Sequence, residues 1–220
     1  MKSSRFLSVM FAVSLFLLIL TVSIGLPIYL RPFYYAHIEA MGLPEYTGLT
    51  AGQIREAYDA VLDYLTLPGR EFSAGILPFS AEGEAHFVDC KVLFDLNRNI
   101  LLLSAAVLAL LGILRKSGKA GPYRLGRRSA AFWAALLALI APVVIGGLAA
   151  LDFDRAFVIF HKIFFPGKSN WLFDWRTDPV ILILPQDFFM HCAMLIGVGL
   201  LAISLGILIF TEIRRKKSGT

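Results

Sequence analysis

The stretch FLSVMFAVSLFLLILTVSIGL, residues 6–26, decides the fold. It contains no Asp, Glu, Lys or Arg, and a helix that crosses a bilayer needs about 20 such mostly apolar residues. The apolar run is also longer than that of a secretory signal, which has about 7–15 residues. Across the chain of 220 residues, 57% are hydrophobic and the mean hydropathy is +0.70, which is too apolar for an ordinary soluble domain. The sequence therefore predicts a membrane protein whose first helix is this uncleaved stretch.

Three more stretches meet or approach the same length and composition. The second of the four spans is the least uniform, because Asp95, Arg98 and two asparagines lie near its beginning. Ionisable groups at membrane depth are costly and are therefore candidates for function. The additional predicted spans are residues 92–114, 130–151 and 188–210.

Basic residues are concentrated on one side of the predicted spans. The loop of residues 115–128 has six Lys or Arg and no acidic residue, and residues 214–217 are all basic. The segment 31–94 instead has nine acidic and four basic residues. The positive-inside rule then places both termini and the basic loop in the cytoplasm. Because these basic segments flank membrane spans and leave no basic, aromatic-lined surface for nucleic acid, we exclude nucleic acid as a partner of this chain, whose net charge is +5.

The predicted fold is an all-α membrane protein that forms one integral membrane domain over residues 1–220. It has four transmembrane helices and an extracellular cap built from the first and third loops. Residues 27–91 and 152–187 form this cap, which is too short to be an independent enzyme domain.

One amphipathic helix is predicted within the cap, from Thr50 to Leu65. Thr50 and Gln53 have the spacing of a capping box, and Pro68 marks the end. Apolar residues recur at helical intervals, while Glu56 and two aspartates face away. We expect the apolar face to pack on the rest of the cap, and contact with the lipid surface is the alternative.

The second cap segment is unusually aromatic. A belt at the membrane interface accounts for some of these side chains, whereas a confined aromatic pocket accounts for their density. Between residues 153 and 189 the aromatic residues are Phe153, Phe157, Phe160, Phe164, Phe165, Trp171, Phe173, Trp175, Phe188 and Phe189.

Two histidines stand out as candidates for chemistry. His86 lies in a predicted helical segment before the second span and shares a face with Asp89, whose carboxylate can orient an imidazole. The alternative is a structural ion pair at a helix end. His161 lies in the aromatic run FVIFHKIFF, where a titratable base is unusual. His37 and His191 have no comparable neighbours and are interpreted as structural.

Other site chemistries have weak support. The sequence has no HExxH motif, no Cys-His cluster, no Gly-rich phosphate loop and no GxSxG motif, so no metal site and no cofactor are predicted. Cys90 and Cys192 are not a CxxC pair, and two separate core cysteines are a simpler interpretation than a disulfide.

Several segments together resemble the bacterial lipoprotein intramolecular transacylases, which are four-helix membrane proteins of Gram-positive bacteria with an extracellular cap. The likeness covers nearly the whole chain in topology and two motif blocks in detail. These segments are HFVDCKVLF (residues 86–94), FHKIFF (160–165), NWLFD (170–174), TDP (177–179) and LPQDFF (184–189).

The resemblance implies an enzyme that acts on a diacylglyceryl lipoprotein in the cytoplasmic membrane, with its active site at the outer face. It moves the sn-2 acyl chain to the amine of the N-terminal cysteine and leaves a lyso-form lipoprotein. The family's two catalytic histidines map onto His86 and His161, and membrane lipid is the other expected partner. The residues expected to bind substrate are Tyr34, Asp89, Lys91, Phe160, Trp171, Asp174, Arg176 and Asp178.

Elementary chemistry agrees with this reaction. Conversion of an ester to an amide is downhill and needs no cofactor. An α-amine with a pKa of about 8 must lose a proton before it attacks, and an imidazole with a pKa of about 6.5 can take it. We expect His161 to be the base and His86, oriented by Asp89, to be its partner or the oxyanion donor; the opposite assignment stays open. Lys91 or Arg176 could also donate to the oxyanion.

Two other functions compete with this interpretation. A lipase or acyltransferase could use the same histidines on a free phospholipid. A small membrane receptor or assembly partner could use the aromatic cap to bind lipid without catalysis, and it would not need the histidines.

Overall fold

A computed structural model of the protein describes residues 4–217. The chain is mostly helical, as predicted, and the described part has one short antiparallel hairpin, in which β1 (Arg124–Leu125) pairs with β2 (Arg128–Ser129). The helices are α1 (Arg5–Tyr29), α2 (Arg31–Ala40), α3 (Leu43–Thr47), α4 (Ala51–Thr66), α5 (Ala81–Lys116), α6 (Ala130–Leu151), α7 (Phe153–Phe164), α8 (Val180–Ile183) and α9 (Gln186–Lys217).

Three of these helices are long and apolar enough to cross a membrane. They are α1, α5 and α9, and they contain the first, second and fourth predicted spans. Helix α6 has the same bounds as the predicted third span, residues 130–151.

The chain divides into two compact units. The first contains the described residues up to Leu26, then Asn97–Leu148, and the described residues from Met194 onward. The second contains Pro27–Leu96 and Ala149–Ala193. The second unit therefore includes both predicted cap segments, and the four long helices each contribute residues to both units.

Small side chains allow close helix packing in the first unit. A Cβ on Gly199 of α9 would lie 2.6 Å from Leu26 Cδ1, so glycine permits α1 and α9 to approach at this level. Near the other end of α1, the Tyr123 hydroxyl donates to the carbonyl oxygen of Leu111 at 2.7 Å, which fixes the chain after α5.

The core of the second unit is centred on α4. This helix begins with the predicted capping box, in which Thr50 and Gln53 exchange hydrogen bonds. Its apolar face is buried, and Tyr58 stacks on Tyr34 with ring centroids 3.7 Å apart. The prediction that this face packs within the unit is confirmed, and Tyr34 Oη donates to the carbonyl oxygen of Ile183 at 2.7 Å.

Candidate active site

Contacts at the start of α5 fix the position of the helix that carries His86. Ser80 caps the helix, because its Oγ accepts the N–H of Gly83 at 3.0 Å. The backbone N–H and the hydroxyl of Ser80 both donate to the carboxylate of Asp178, each at 2.8 Å. Asp178 therefore anchors the start of the helix to the segment before α8.

Gly83 permits this anchor. A Cβ at this position would overlap the Asp178 carboxylate and would lie 3.3 Å from the ring of Phe173. Because a side chain here would separate the two segments, glycine keeps the segment that carries Phe173 close to the first turn of α5.

His86 is only 6% exposed and lies among aromatic rings. Its ring meets Phe165 and Phe173 edge-on, with centroids 5.1 and 5.4 Å away. Nε2 lies 3.4 Å from the sulfur of Cys90, one helical turn later. Nδ1 is buried and has no hydrogen-bond partner among residues 4–217. A buried polar atom without a partner is costly, and a catalytic role is one explanation for such an atom.

His161 is presented by α7, a short helix capped by the carboxylate of Asp152. Its Nδ1 lies 2.8 Å from the carbonyl oxygen of Phe157. A carbonyl only accepts, so Nδ1 carries the hydrogen and Nε2 of the neutral ring keeps its lone pair. The indole of Trp171 stacks on the imidazole with centroids 4.5 Å apart and fixes the plane of the ring.

The structure brings His86 and His161 together within the second unit. Their ring centroids are 5.9 Å apart and their planes are inclined by 31°. Both side chains are buried, with 6% and 7% exposed. The space between and beside the rings is bounded by aromatic side chains, so reacting groups placed here would be shielded from water.

Burial keeps both imidazoles neutral. Burial, together with the nearby His161, lowers the pKa of His86 to about 4; this residue precedes the predicted span 92–114. Burial also lowers the pKa of His161. At neutral pH each ring therefore has one nitrogen that can donate and one that can accept.

A loop between α7 and α8 closes the site from a second side. The Asp89 carboxylate accepts hydrogen bonds from Lys168 Nζ at 2.5 Å and from Asn170 Nδ2 at 3.2 Å. The Trp171 indole N–H donates to the carbonyl oxygen of Lys168 at 3.1 Å. Asp89, three residues after His86, thus holds the loop whose tryptophan stacks on His161.

Comparison with known proteins identifies this arrangement. The sequence model of the family described as lipoprotein intramolecular transacylase Lit matches residues 9–189. The chain belongs to this transacylase family. A search of curated proteins gives no match.

Solved structures agree with the family assignment. The structure of the membrane-integral transacylase Lit from Bacillus cereus has a TM-score of 0.86 and 26% identity, and the match covers 98% of each chain. A second structure of the same protein has one histidine replaced by alanine; its TM-score is 0.80 at 25% identity, over 98% of this chain and 96% of that chain. The histidine variant is consistent with histidine chemistry in these acyltransferases.

Several residues predicted to bind substrate have other contacts in this transacylase. The prediction that Asp89 orients His86 is wrong, because its carboxylate is bound by Lys168 and Asn170. Asp178 was also expected to bind substrate, and its side chain holds Ser80 at the start of α5.

Lys91 and Tyr34 serve the core of the second unit. Lys91 Nζ donates to the carbonyl oxygens of Tyr64 at 2.6 Å and Leu67 at 3.2 Å, so it binds the C-terminal end of α4. Tyr34 is 1% exposed and its hydroxyl is already bonded to α8. No contact in the described part of the chain brings either side chain to the histidines.

The remaining predicted site residues divide into two groups. Trp171 stacks on His161, and the ring of Phe160 meets the same imidazole edge-on at 5.5 Å. Asp174 and Arg176 instead form an exposed turn, where Asp174 Oδ1 accepts the backbone N–H of Arg176 at 3.0 Å. The two aromatic residues thus border the candidate site, and the turn of Asp174 and Arg176 is exposed.

Cys90 is a functional candidate that the sequence reasoning missed. Both cysteines are free, in agreement with the simpler prediction, but Cys90 contacts His86. The four-residue spacing between them on a helix is the pattern that could have revealed it. A second histidine pair was also unexpected. The ring centroids of His37 and His191 are 5.0 Å apart, and the ring of His37 contacts Phe188.

Proposed function

We propose that this protein transfers the sn-2 acyl chain of a diacylglyceryl lipoprotein to the amine of its own N-terminal cysteine. The observation that carries this proposal is the pair of buried, neutral imidazoles whose centroids are 5.9 Å apart. One ring has an accepting nitrogen available, and the other has a buried nitrogen with no hydrogen-bond partner among the described residues.

The reaction balances without a cofactor. The cysteine nitrogen attacks the sn-2 carbonyl carbon, and a carbon–nitrogen bond forms while the carbon–oxygen bond to glycerol breaks. The proton that leaves the amine ends on the glycerol oxygen. An imidazole that accepts and then donates this proton serves both steps.

His161 is the base in this mechanism. Its Nδ1–H is committed to the carbonyl oxygen of Phe157, so Nε2 is the atom that takes the proton. The hydrogen bond and the stacked Trp171 hold the ring in one orientation, and the lowered pKa keeps Nε2 unprotonated before the reaction.

His86 donates to the developing oxyanion. Burial raises the pKa of the Cys90 thiol to about 12, so the sulfur keeps its hydrogen and can donate it to Nε2 of His86. The ring then carries its own hydrogen on Nδ1, which no group in residues 4–217 accepts. A donor aimed at the tetrahedral oxygen contributes about 3–4 kcal/mol in comparable enzymes.

Aromatic side chains hold the reacting groups in place. Phe165, Phe173 and Trp171 contact the two imidazoles and provide apolar surface for the ester and the start of its acyl chain. Orientation of amine and carbonyl within one substrate can supply about 7–11 kcal/mol of the barrier reduction.

The membrane placement is part of the proposal. We infer one integral membrane domain with four spans, cytoplasmic termini, and a cap of residues 27–91 and 152–187 that places the histidines at the outer face. The six basic and no acidic residues of the loop 115–128 support this orientation. A lipoprotein keeps its acyl chains in the bilayer and its peptide outside, so a site at the outer interface meets both parts of the substrate.

The test is expression in a strain that makes only diacylglyceryl lipoproteins, followed by mass spectrometry of one abundant lipoprotein. The wild type and the control variant His37→Ala should both produce the N-acylated lyso form, and His161→Ala should not produce it. Normal lyso-form production by His161→Ala contradicts the mechanism. Purified protein that consumes phospholipid without lipoprotein would instead support a lipase or a phospholipid acyltransferase.

A further inference from the structure

A second concave site lies in the first unit, separate from the histidines. The hairpin β1–β2 and the start of α1 border an open concavity of about 750 Å³. Three arginines line it, one from the helix and two from the hairpin. The lining residues are Arg5, Arg124, Leu125, Gly126 and Arg127.

The three guanidinium groups have no counter-charge in the described part of the chain. Among residues 4–217, no carboxylate lies within 4.0 Å of Arg5, Arg124 or Arg127. The neighbouring Arg128, by contrast, pairs with Glu212. Three positive charges around one concavity repel each other, and an anion placed among them would relieve this repulsion.

The fold holds the hairpin in place before any ligand binds. The backbone N–H of Arg124 donates to Ser8 Oγ on α1 at 3.0 Å, and the indole N–H of Trp133 donates to the carbonyl oxygen of Leu125 at 3.0 Å. Gly126 forms the turn with a φ of 63°, which glycine adopts without strain. Prior ordering of the loop reduces the entropy cost of binding.

The start of α1 adds to the positive potential. Its first turn has no acidic residue, and the N–H groups there carry a partial positive charge. Guanidinium groups suit phosphate in particular, because their planar donors match its oxygens in pairs. The adjoining surface suits a lipid, since Leu125 is apolar and Trp133, 45% exposed, is typical of the membrane interface.

We propose that this concavity binds the phosphate group of an anionic phospholipid headgroup. The cytoplasmic leaflet, where the charge distribution places this loop, is rich in such lipids, and basic residues near its surface are attracted to its negative charge. The site is independent of the acyl transfer, so its test does not depend on the histidine mechanism.

The experiment measures thermal unfolding of the purified full chain in neutral detergent with added phosphatidylglycerol, phosphatidylcholine or inorganic phosphate. Phosphatidylglycerol should raise the unfolding temperature of the wild type by about 5 °C, and phosphatidylcholine should not. The variant R5Q/R124Q/R127Q should lose this shift. The control R115Q/K116Q/K119Q removes the same charge from the same region outside the concavity and should keep it.

Three outcomes decide the proposal. Equal shifts in both triple variants would overturn it, because the lipid would then respond to net charge alone. An equal shift with inorganic phosphate alone would overturn the lipid assignment and leave a free anion as the ligand. Should R5Q/R124Q/R127Q unfold before measurement, the single variant R127Q serves, and an unchanged lipid shift in R127Q would overturn the role of the hairpin tip.

Discussion

The second unit contains two histidine pairs that share one geometry. In each pair, one ring donates its Nδ1–H to the carbonyl oxygen four residues earlier: His161 to Phe157 at 2.8 Å and His37 to Phe33 at 2.7 Å. In each pair, the Nδ1 of the other ring, His86 or His191, is buried without a hydrogen-bond partner among the described residues.

The surroundings distinguish the two pairs. The His86 pair has a thiol at 3.4 Å from Nε2 and an indole stacked on its partner ring, and an anchored loop lies beside it. The His37 pair packs against Phe33 and Phe188. We therefore predict that the His86 pair carries the catalysis, because Cys90 and Trp171 add contacts that set the tautomer of His86 and the plane of His161.

Removal of single histidines tests this distinction and should have the largest effect. We expect His161→Ala and His86→Ala to lower the rate of acyl transfer by about 10³-fold or more, since each removes a proton acceptor or an oxyanion donor. His37→Ala and His191→Ala should stay within a few-fold of the wild type. The rate of lyso-form production by mass spectrometry measures all four, and equal losses in both pairs would remove the distinction.

Substitution of Cys90 tests how the tautomer of His86 is set. Cys90→Ala removes the donor to Nε2 and should lower kcat about tenfold, or about 1.4 kcal/mol in activation free energy. Cys90→Ser keeps a donor and should retain most activity. The nitrogen chemical shifts of the His86 ring report which nitrogen carries the hydrogen, and they should indicate a different tautomer in Cys90→Ala but not in Cys90→Ser. Unchanged shifts in Cys90→Ala would show that the thiol does not set the tautomer.

Two glycines of α5 give a matched comparison of structural effects. Gly83→Ala should destabilise the fold by about 1–3 kcal/mol and lower activity, because the new methyl overlaps Asp178. A Cβ at Gly112 would meet no atom within 4 Å, so Gly112→Ala should change the free energy of unfolding by no more than about 1 kcal/mol. Denaturation curves of both variants check this, and equal effects would contradict the close approach at Gly83.

A final test concerns the pH dependence of stability. The pKa of His86 is about 4 in the folded protein, against about 6.5 for an ordinary histidine, so the unfolded chain binds a proton that the folded chain excludes. The contribution of this residue to the free energy of unfolding is fully present above pH 6.5. It falls as the pH is lowered toward 4, by at most about 1.4 kcal/mol per pH unit. The free energy of unfolding is measured as a function of pH for the wild type and for His86→Gln. The difference between the two free energies should change with pH by this slope, and a difference independent of pH would contradict the prediction.

Hydropathy and helical periodicity predicted much of the helical architecture. The apolar stretches coincide with the long helices, and the capping box at Thr50 and Gln53 forms as expected, because both depend on local sequence. The two histidines could be chosen because ionisable groups in aromatic surroundings are unusual, although their mutual distance depends on tertiary packing.

The partners of the acidic residues could not be predicted in the same way. Asp89 was expected to orient His86 because of helical spacing, but its carboxylate accepts a hydrogen bond from a lysine 79 residues later in the chain. Asp178 reaches a serine that is 98 residues earlier. Contacts at such separations leave no periodic trace in a single sequence.

The most direct test of the central claim is a crossover experiment. Two lipoproteins that differ in peptide mass are mixed with the purified protein, and one of them carries an isotope label in its sn-2 acyl chain. Transfer within one substrate molecule predicts that the label appears as an amide only on the peptide that carried it, and that His161→Ala gives none. Label on the other peptide, or released as free fatty acid, would contradict the account.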